Sequence, residues 1–153
     1  MALSLRLRRL GYRLAYRILT VWWFLRRPRI EGVKCVLTSG QEVLLVRHTY
    51  GPDVWDLPGG VIKRGEPPLD AAQREMAEEL GIASVQWREA GTIRGRQSFR
   101  RDTVHGFRGE LRSRTVAPNA AELADTRWFA RNALPHRLGI YASPLLSAIT
   151  AED

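Results

Sequence analysis

Four glutamates stand in the stretch "LPGGVIKRGEPPLDAAQREMAEELGI", Leu57 to Ile82, and three of them, Glu75, Glu78 and Glu79, fall almost together. On a helix these positions are i, i+3 and i+4, so the three carboxylates share one face. Like charges at that spacing destabilise a helix by about 0.2–0.5 kcal/mol per pair, so the pattern calls for a compensating charge. A hard divalent cation with oxygen ligands supplies one, and Mg²⁺ takes a few carboxylates together with water and substrate phosphates. Leu69, Ala72, Met76 and Leu80 form an opposite stripe that can be buried. Gly59 and Gly60 let the backbone turn tightly enough to aim a carbonyl or an N–H at the carboxylates, and Gly81 is suited to end the helix. A solvated acidic face explains most isolated Glu-Glu pairs. The spacing here asks for more: Gly60, five residues, Glu66, seven residues, Arg74, Glu75, an apolar Met76, one residue, Glu78, Glu79, one residue, Gly81 and an apolar Ile82.

That pattern resembles the signature of the Nudix hydrolases, with every specified position filled from Gly60 to Ile82. The likeness continues upstream in "LLVRHTYGPDVWDLPGG" and downstream in "AELADTRWFARNALP". It implies an α+β Nudix fold, an α/β/α sandwich around a mixed sheet. The implied activity is Mg²⁺- or Mn²⁺-dependent cleavage of a nucleoside diphosphate linked to another group. Carried over residue by residue, Glu75 and Glu79 are the implied principal metal ligands, Glu78 shares the metals or acts on water, and the Gly60 carbonyl is a further ligand. Glu66 and Arg74 are the implied pair that orients the acids. Several relatives of this kind take a general base from a loop before the late strand. Glu122 stands at that place, and Glu110 is the other candidate for an extra acid.

For substrate contact, Arg47 lies at the end of an apolar run leading to the glycine turn, and guanidinium suits phosphate oxygens. Trp55 and Tyr50 flank the same loop and could stack on a base, although core packing is the commoner aromatic role. Seven arginines between Ile93 and Thr115 are mostly solvent-facing by expectation. Cys35, inside "GVKCVLT", reads as a small core residue.

Elements must hold these groups in place. "IEGVKCVLTSGQEVLLVRHTY" reads as a hairpin. The acidic helix is expected over about Pro68 to Leu80, strands near Val85 to Ile93, Thr103 to Leu111 and Thr126 to Phe129, and a last helix near Leu138 to Ala151. Residues 30–153 form the expected catalytic domain. Residues 1–29 read as a separate basic amphipathic helical extension, with Leu3, Leu7, Leu10, Leu14, Ile18, Val21, Trp22 and Leu25 on one face and Arg6, Arg9, Arg13 and Arg17 opposite.

The chain has 153 residues and a formal charge of +8, yet residues 1–29 carry eight arginines and no acid, so the remainder is formally neutral. The charge therefore predicts a local positive field rather than a specific nucleic-acid partner. The uncharged run Ile18 to Leu25 is far short of the roughly 20 residues that span a bilayer. The extension is expected to lie on an anionic membrane surface, to pack on the domain, or to self-associate through residues 3–25, on a cytoplasmic protein that is at most peripheral to a membrane. Three rivals to the hydrolase remain: an RNA 5′ pyrophosphohydrolase, a non-catalytic binding module, which the intact acids disfavour, and an isoprenyl diphosphate isomerase, which would need an active cysteine.

Overall fold

A computed structural model describes residues 2–150, without the side chains of residues 2, 3, 149 and 150. The Leu3 side chain, and Ala151 at the expected end of the last helix, lie outside the described residues. Eight elements follow in order: α1 (Ala2–Arg26), β1 (Arg29–Ser39), β2 (Glu42–His48), α2 (Pro68–Leu80), β3 (Arg88–Gln97), β4 (Arg100–Glu110), β5 (Leu123–Ala130) and α3 (Ala142–Thr150). The strands form one mixed sheet in the order β3-β4-β1-β2-β5, in which β1 and β4 are parallel and the other pairs antiparallel.

Strand alternation divides the core into two layers. Val33, Cys35 and Leu37 of β1 and Leu44 and Val46 of β2 pack under α2 with Ala72, Met76 and Leu80. Val36, Val43 and Leu45 point the other way and pack under α3 with Ala142, Leu145 and Leu146. This is the expected sandwich, with the acidic helix at its expected bounds. The strand after it begins later than the sequence indicated, at Arg88, because Val85 and Trp87 pack against the α2 layer before pairing starts.

The first hairpin is not a simple one. β1 and β2 pair only at the tip, Thr38 with Val43 and Ser39 with Glu42. Below the tip they splay, and the segment carrying the two glycines occupies the gap. Val33 N–H donates to Gly60 O at 2.8 Å and Cys35 N–H to Pro58 O at 2.9 Å, while Val46 and Asp56 exchange both backbone bonds on the β2 side. The glycine turn is thereby sewn into the sheet, which fixes its carbonyls and N–H groups relative to α2.

The first helix packs on the domain, but not by the face the apolar stripe indicated. Arg27, at φ 46°, ends it just before Pro28. Its docked face is an aromatic one. Tyr12 stacks on Tyr50 at 5.7 Å, Tyr16 packs against Tyr50 and edge-on against Trp23, and the Arg100 guanidinium lies 4.3 Å over the Trp23 ring. Arg9 and Arg13, expected to face solvent, donate from Nε to the Ala120 and Thr49 carbonyls. The aliphatic stripe is left outside: Leu7, Leu10, Leu14, Ile18, Val21, Trp22 and Leu25 are between 47% and 71% exposed. Counting apolar residues located the stripe, but aromatic stacking with Tyr50 decided which side docks. Helix α1 is thus packed on the body through Arg9, Tyr12, Arg13, Tyr16 and Trp23.

Candidate active site

Helix α2 brings the box together. Pro68 occupies its first turn and Gly81, at φ 68°, ends it with N–H groups of Gly81 and Ile82 returned to Ala77 O and Met76 O, a C-terminal motif that needs the left-handed region. Its buried residues are Ala71, Ala72, Met76, Glu79 and Leu80, whereas Leu69, assigned to the buried stripe, is 46% exposed. Glu79 takes its place in that stripe, three residues after Met76. The three carboxylates share a face as expected, but at different depths: Glu79 is 2% exposed, whereas the side chains of Glu75 and Glu78 are 13% and 54% exposed.

Arg74 is the hub. Its Nε and Nη2 grip the two oxygens of Glu66 at 2.8 and 2.9 Å, and Nη1 reaches Glu75 Oε1 at 2.6 Å and Glu78 Oε2 at 3.3 Å. Nη2 also donates to the Val61 carbonyl, and Lys63 N–H donates to Glu66 Oε2. The forked guanidinium suits this bidentate grip, which a lysine could not reproduce. Hydrogen bonding to Arg74 and Lys63 holds the Glu66 carboxyl down at about 2. Glu66 and Arg74 are therefore bound to each other at the edge of the acid cluster.

Glu79 is anchored from the other side. Gly59 N–H donates to Glu79 Oε2 at 3.0 Å, and burial pushes its carboxyl up to about 8 against the opposing pull of Lys34 and of that hydrogen bond. Burial likewise raises Glu75, with Arg74 opposing and Glu78 and Glu122 adding like charge. Gly60 is tight against the same group, since a Cβ there would fall 2.4 Å from the Glu75 carboxyl carbon. The Gly60 carbonyl already accepts from Val33 N–H, which leaves one of its lone pairs free.

These residues fit a hard divalent cation. The available donors are all oxygen, the buried carboxylates are disfavoured in their ionised form, and Arg74 compensates Glu75 and Glu78. In the arrangement seen, no three acidic, imidazole or thiol groups converge on a single point among the described residues.

Of the acids outside the box, Glu122 is brought to the cluster and Glu110 is not. The charge of Glu122 reaches both Glu75 and Glu79, and its Oε1 accepts a 2.6 Å hydrogen bond from the Tyr12 hydroxyl. Its loop is tied to the end of α2, because Asn119 N–H donates to Glu79 O. Glu110 is exposed and pairs with Thr38, six residues along β1 from the Gly32–Val61 bridge, or about 20 Å at strand rise.

Arg47 and Trp55 also lie away from the carboxylates. Arg47 alternates with the α2-facing residues of β2, so it projects into the α3 layer, where it pairs with Asp53 and Asp125 and lies 5.4 Å over Trp55. Trp55 packs edge-on against Phe129 and exchanges backbone hydrogen bonds with the segment 137–139. Strand parity carried this information and was not applied to Arg47. Cys35 is fully buried and its thiol is pushed up by that burial, which removes the cysteine an isomerase would need.

Sequence reasoning missed Lys34, Asp56 and the face on which the helix docks. Lys34 Nζ binds Asp56 Oδ2 at 2.7 Å and Leu57 O at 2.9 Å, directly beside the glycine turn. A lysine breaking the apolar run "GVKCVL" was the available signal. From these residues a cleft of about 390 Å³ runs past Gly59, Gly60 and Lys34 to His48, Tyr50 and Asp56, and is walled on one side by Tyr16, Leu19 and Trp23 of α1.

Comparison with known proteins agrees with this architecture. The model of the NUDIX domain matches residues 28–148, and the chain belongs to the Nudix family. It is 34% identical over 100 residues to a putative 8-oxo-dGTP diphosphatase of Bacillus subtilis, covering 65% of each chain. It is 32% identical over 110 residues to the NAD-capped RNA hydrolase NudC of Pseudomonas aeruginosa, covering 71% of this chain and 39% of that one. The chain thus spans less than two thirds of the length of these curated relatives. A crystal structure of a MutT NUDIX hydrolase from Burkholderia pseudomallei superposes with a TM-score of 0.74 at 22% identity, over 79% of this chain and 98% of that one, which shows the shared fold.

Proposed function

We propose that the protein hydrolyses the diphosphate linkage of a nucleoside diphosphate derivative, with Glu75, Glu78, Glu79 and the Gly60 carbonyl holding Mg²⁺ or Mn²⁺. The observation that carries this is the buried Glu79 carboxyl on the Gly59 N–H, in a face whose other charges are balanced by Arg74. When bound, the cation would acidify water and offset charge on the bridging phosphates. The chain's own groups do the rest. Glu66 pins Arg74, and Arg74 steadies Glu75 and Glu78. Lys34 stands where a phosphate oxygen would meet a half-buried ammonium. Glu122, with Tyr12 holding Oε1, presents its second oxygen as the acceptor of the proton lost when water attacks phosphorus and the bridging P–O bond breaks. The names of the relatives point to a nucleoside triphosphate and to an NAD cap on RNA. Their shared feature is a phosphoanhydride on a nucleoside, which is the breadth this proposal adopts.

Nucleotide sugars, dinucleoside polyphosphates, nucleoside triphosphates and capped RNA, each supplied with Mg²⁺ or Mn²⁺, test the reading. At least one should be cleaved, and excess chelator should stop the reaction. Full activity in chelator, or inertness toward the whole panel, would refute it.

The exposed stripe on α1 favours one further partner. No helix among the described residues is long and apolar enough to cross a membrane. A stripe of seven apolar side chains with arginines on its flanks suits an anionic lipid surface, where each nearby arginine adds about 1 kcal/mol. Wild-type protein should sediment with phosphatidylserine-containing vesicles, and Leu14→Asp combined with Ile18→Asp should abolish this while soluble-substrate turnover persists. Concentration-dependent dimerisation, lost in the same variant without any vesicle binding by the wild type, would establish self-association instead.

A further inference from the structure

The family match begins at residue 28, yet one wall of the cleft comes from before it. We infer that α1 completes the substrate site, with Tyr16, Leu19 and Trp23 forming the wall against which the nucleobase of the substrate packs. This deepens the hydrolase reading and rests on it.

Three observations support the assignment. The helix is anchored at the site itself: Tyr12 binds Glu122, Arg9 and Arg13 bind the carbonyls of Ala120 and Thr49, and a Cβ on Gly51 would sit 3.3 Å from the Tyr16 ring. The cleft is also chemically graded. Its Gly59, Gly60 and Lys34 end offers backbone and an ammonium to phosphates, whereas its α1 side is aromatic. In this inference the phosphates of the substrate lie at Gly59, Gly60 and Lys34 and its base packs against Tyr16.

Finally, the cleft lining carries polar edges that an alkyl chain could not satisfy. Gln97 and Asp56 line it, and His48 Nδ1 is buried without a hydrogen-bond partner. Burial, with Lys34 adding to it, holds the His48 imidazole down at about 4, so at neutral pH the ring is uncharged. A heterocycle can pack against such an uncharged ring, and a small turn of the ring would bring Nδ1 to its edge. An isoprenyl or acyl chain in the same space offers nothing to the His48 ring, and buried polar groups without partners carry the full desolvation penalty.

The test separates this inference from the hydrolase reading by measuring binding without turnover. With chelator present, AMP, GMP, CMP, UMP and decyl phosphate are titrated by calorimetry into full-length wild type, Tyr16→Ala, Tyr16→Phe and Leu19→Trp. At least one nucleoside monophosphate should bind. Tyr16→Ala should weaken it about tenfold or more, as loss of one base-stacking ring does, and Tyr16→Phe should restore the affinity. Leu19→Trp, which fills the cleft from a half-exposed position, should weaken it with an unchanged melting temperature. With an active substrate, Tyr16→Ala should raise KM more than it lowers kcat. Equal nucleotide affinity in wild type and Tyr16→Ala, no binding of any nucleotide by wild type, or tighter binding of decyl phosphate than of every nucleotide would overturn the inference, whatever the hydrolysis assays show.

Discussion

Glu79→Gln should lower turnover by about two to four orders of magnitude while the protein stays folded, because the substitution removes an anionic ligand and keeps the shape and hydrogen-bonding reach of the side chain. The buried carboxyl, raised to about 8 without metal, already favours its neutral form at pH 7. Glutamine imitates that form and can still accept from Gly59 N–H. A second readout follows from the sign of the shift. A carboxyl raised from 4.5 to about 8 by folding binds its proton more tightly in the native state. Its stabilising contribution is complete below about pH 4.5, declines as pH rises, and is gone above about pH 8. Metal-free wild type should therefore lose melting temperature between pH 5 and 8 more steeply than Glu79→Gln. Saturating Mg²⁺ should reverse that loss in wild type by binding the native state. Retained turnover in Glu79→Gln would remove Glu79 from the metal site, and parallel melting profiles would show that its carboxyl is not the group titrating.

Much of the site was legible because its geometry is local. Residues 66–82 are one helix and its lead-in, so spacing placed Glu75, Glu78 and Glu79 on one face, while the pairing of Glu66 with Arg74 came from the family resemblance; the structure has both. Local pattern did not reveal depth. Glu79 looks like Glu78 in sequence, yet one is buried and hydrogen-bonded to Gly59 and the other is open. That distinction comes from the glycine turn wedged between β1 and β2, a pairing over 20 residues apart that no helical wheel contains. Lys34 and Asp56 were missed for the same reason. Arg47 lies on the α3 face because one residue along a strand changes the face, which the run of apolar residues did not reveal. The docked face of α1 was hidden by a rule that usually serves well: the wider aliphatic stripe was taken as the sticky one. Tyr12, Tyr16 and Trp23, at i, i+4 and i+11, make a second stripe, and what selects it is Tyr50, a loop residue across the fold.

The two adjacent glycines should fail in different ways when replaced by alanine. Gly59 has φ +143°, and a Cβ there would lie 2.1 Å from the Val33 carbonyl oxygen. That oxygen cannot yield, because Val33 is paired with His105 of β4 on one side and donates to Gly60 O on the other. Gly59→Ala must therefore push the turn out of the sheet, also breaking the bond to Glu79, and is expected to destabilise the protein by about 3 kcal/mol or more. Gly40 serves as the control. Its φ is +57° with open space around the added methyl, so Gly40→Ala should cost only the backbone term of about 1–2 kcal/mol. At Gly60 the obstacle is the mobile end of a side chain, the Glu75 carboxylate. Gly60→Ala can be accommodated if Glu75 swings away, so stability should fall less than for Gly59→Ala while metal-dependent turnover drops at least about a hundredfold, the scale expected when a metal-site group is misplaced. Urea unfolding midpoints and turnover measured on all three variants decide the matter. If Gly59→Ala unfolds at the same urea concentration as Gly40→Ala, the turn is not sewn into the sheet as described; if Gly60→Ala keeps wild-type turnover, Glu75 does not need the place that the missing side chain leaves it.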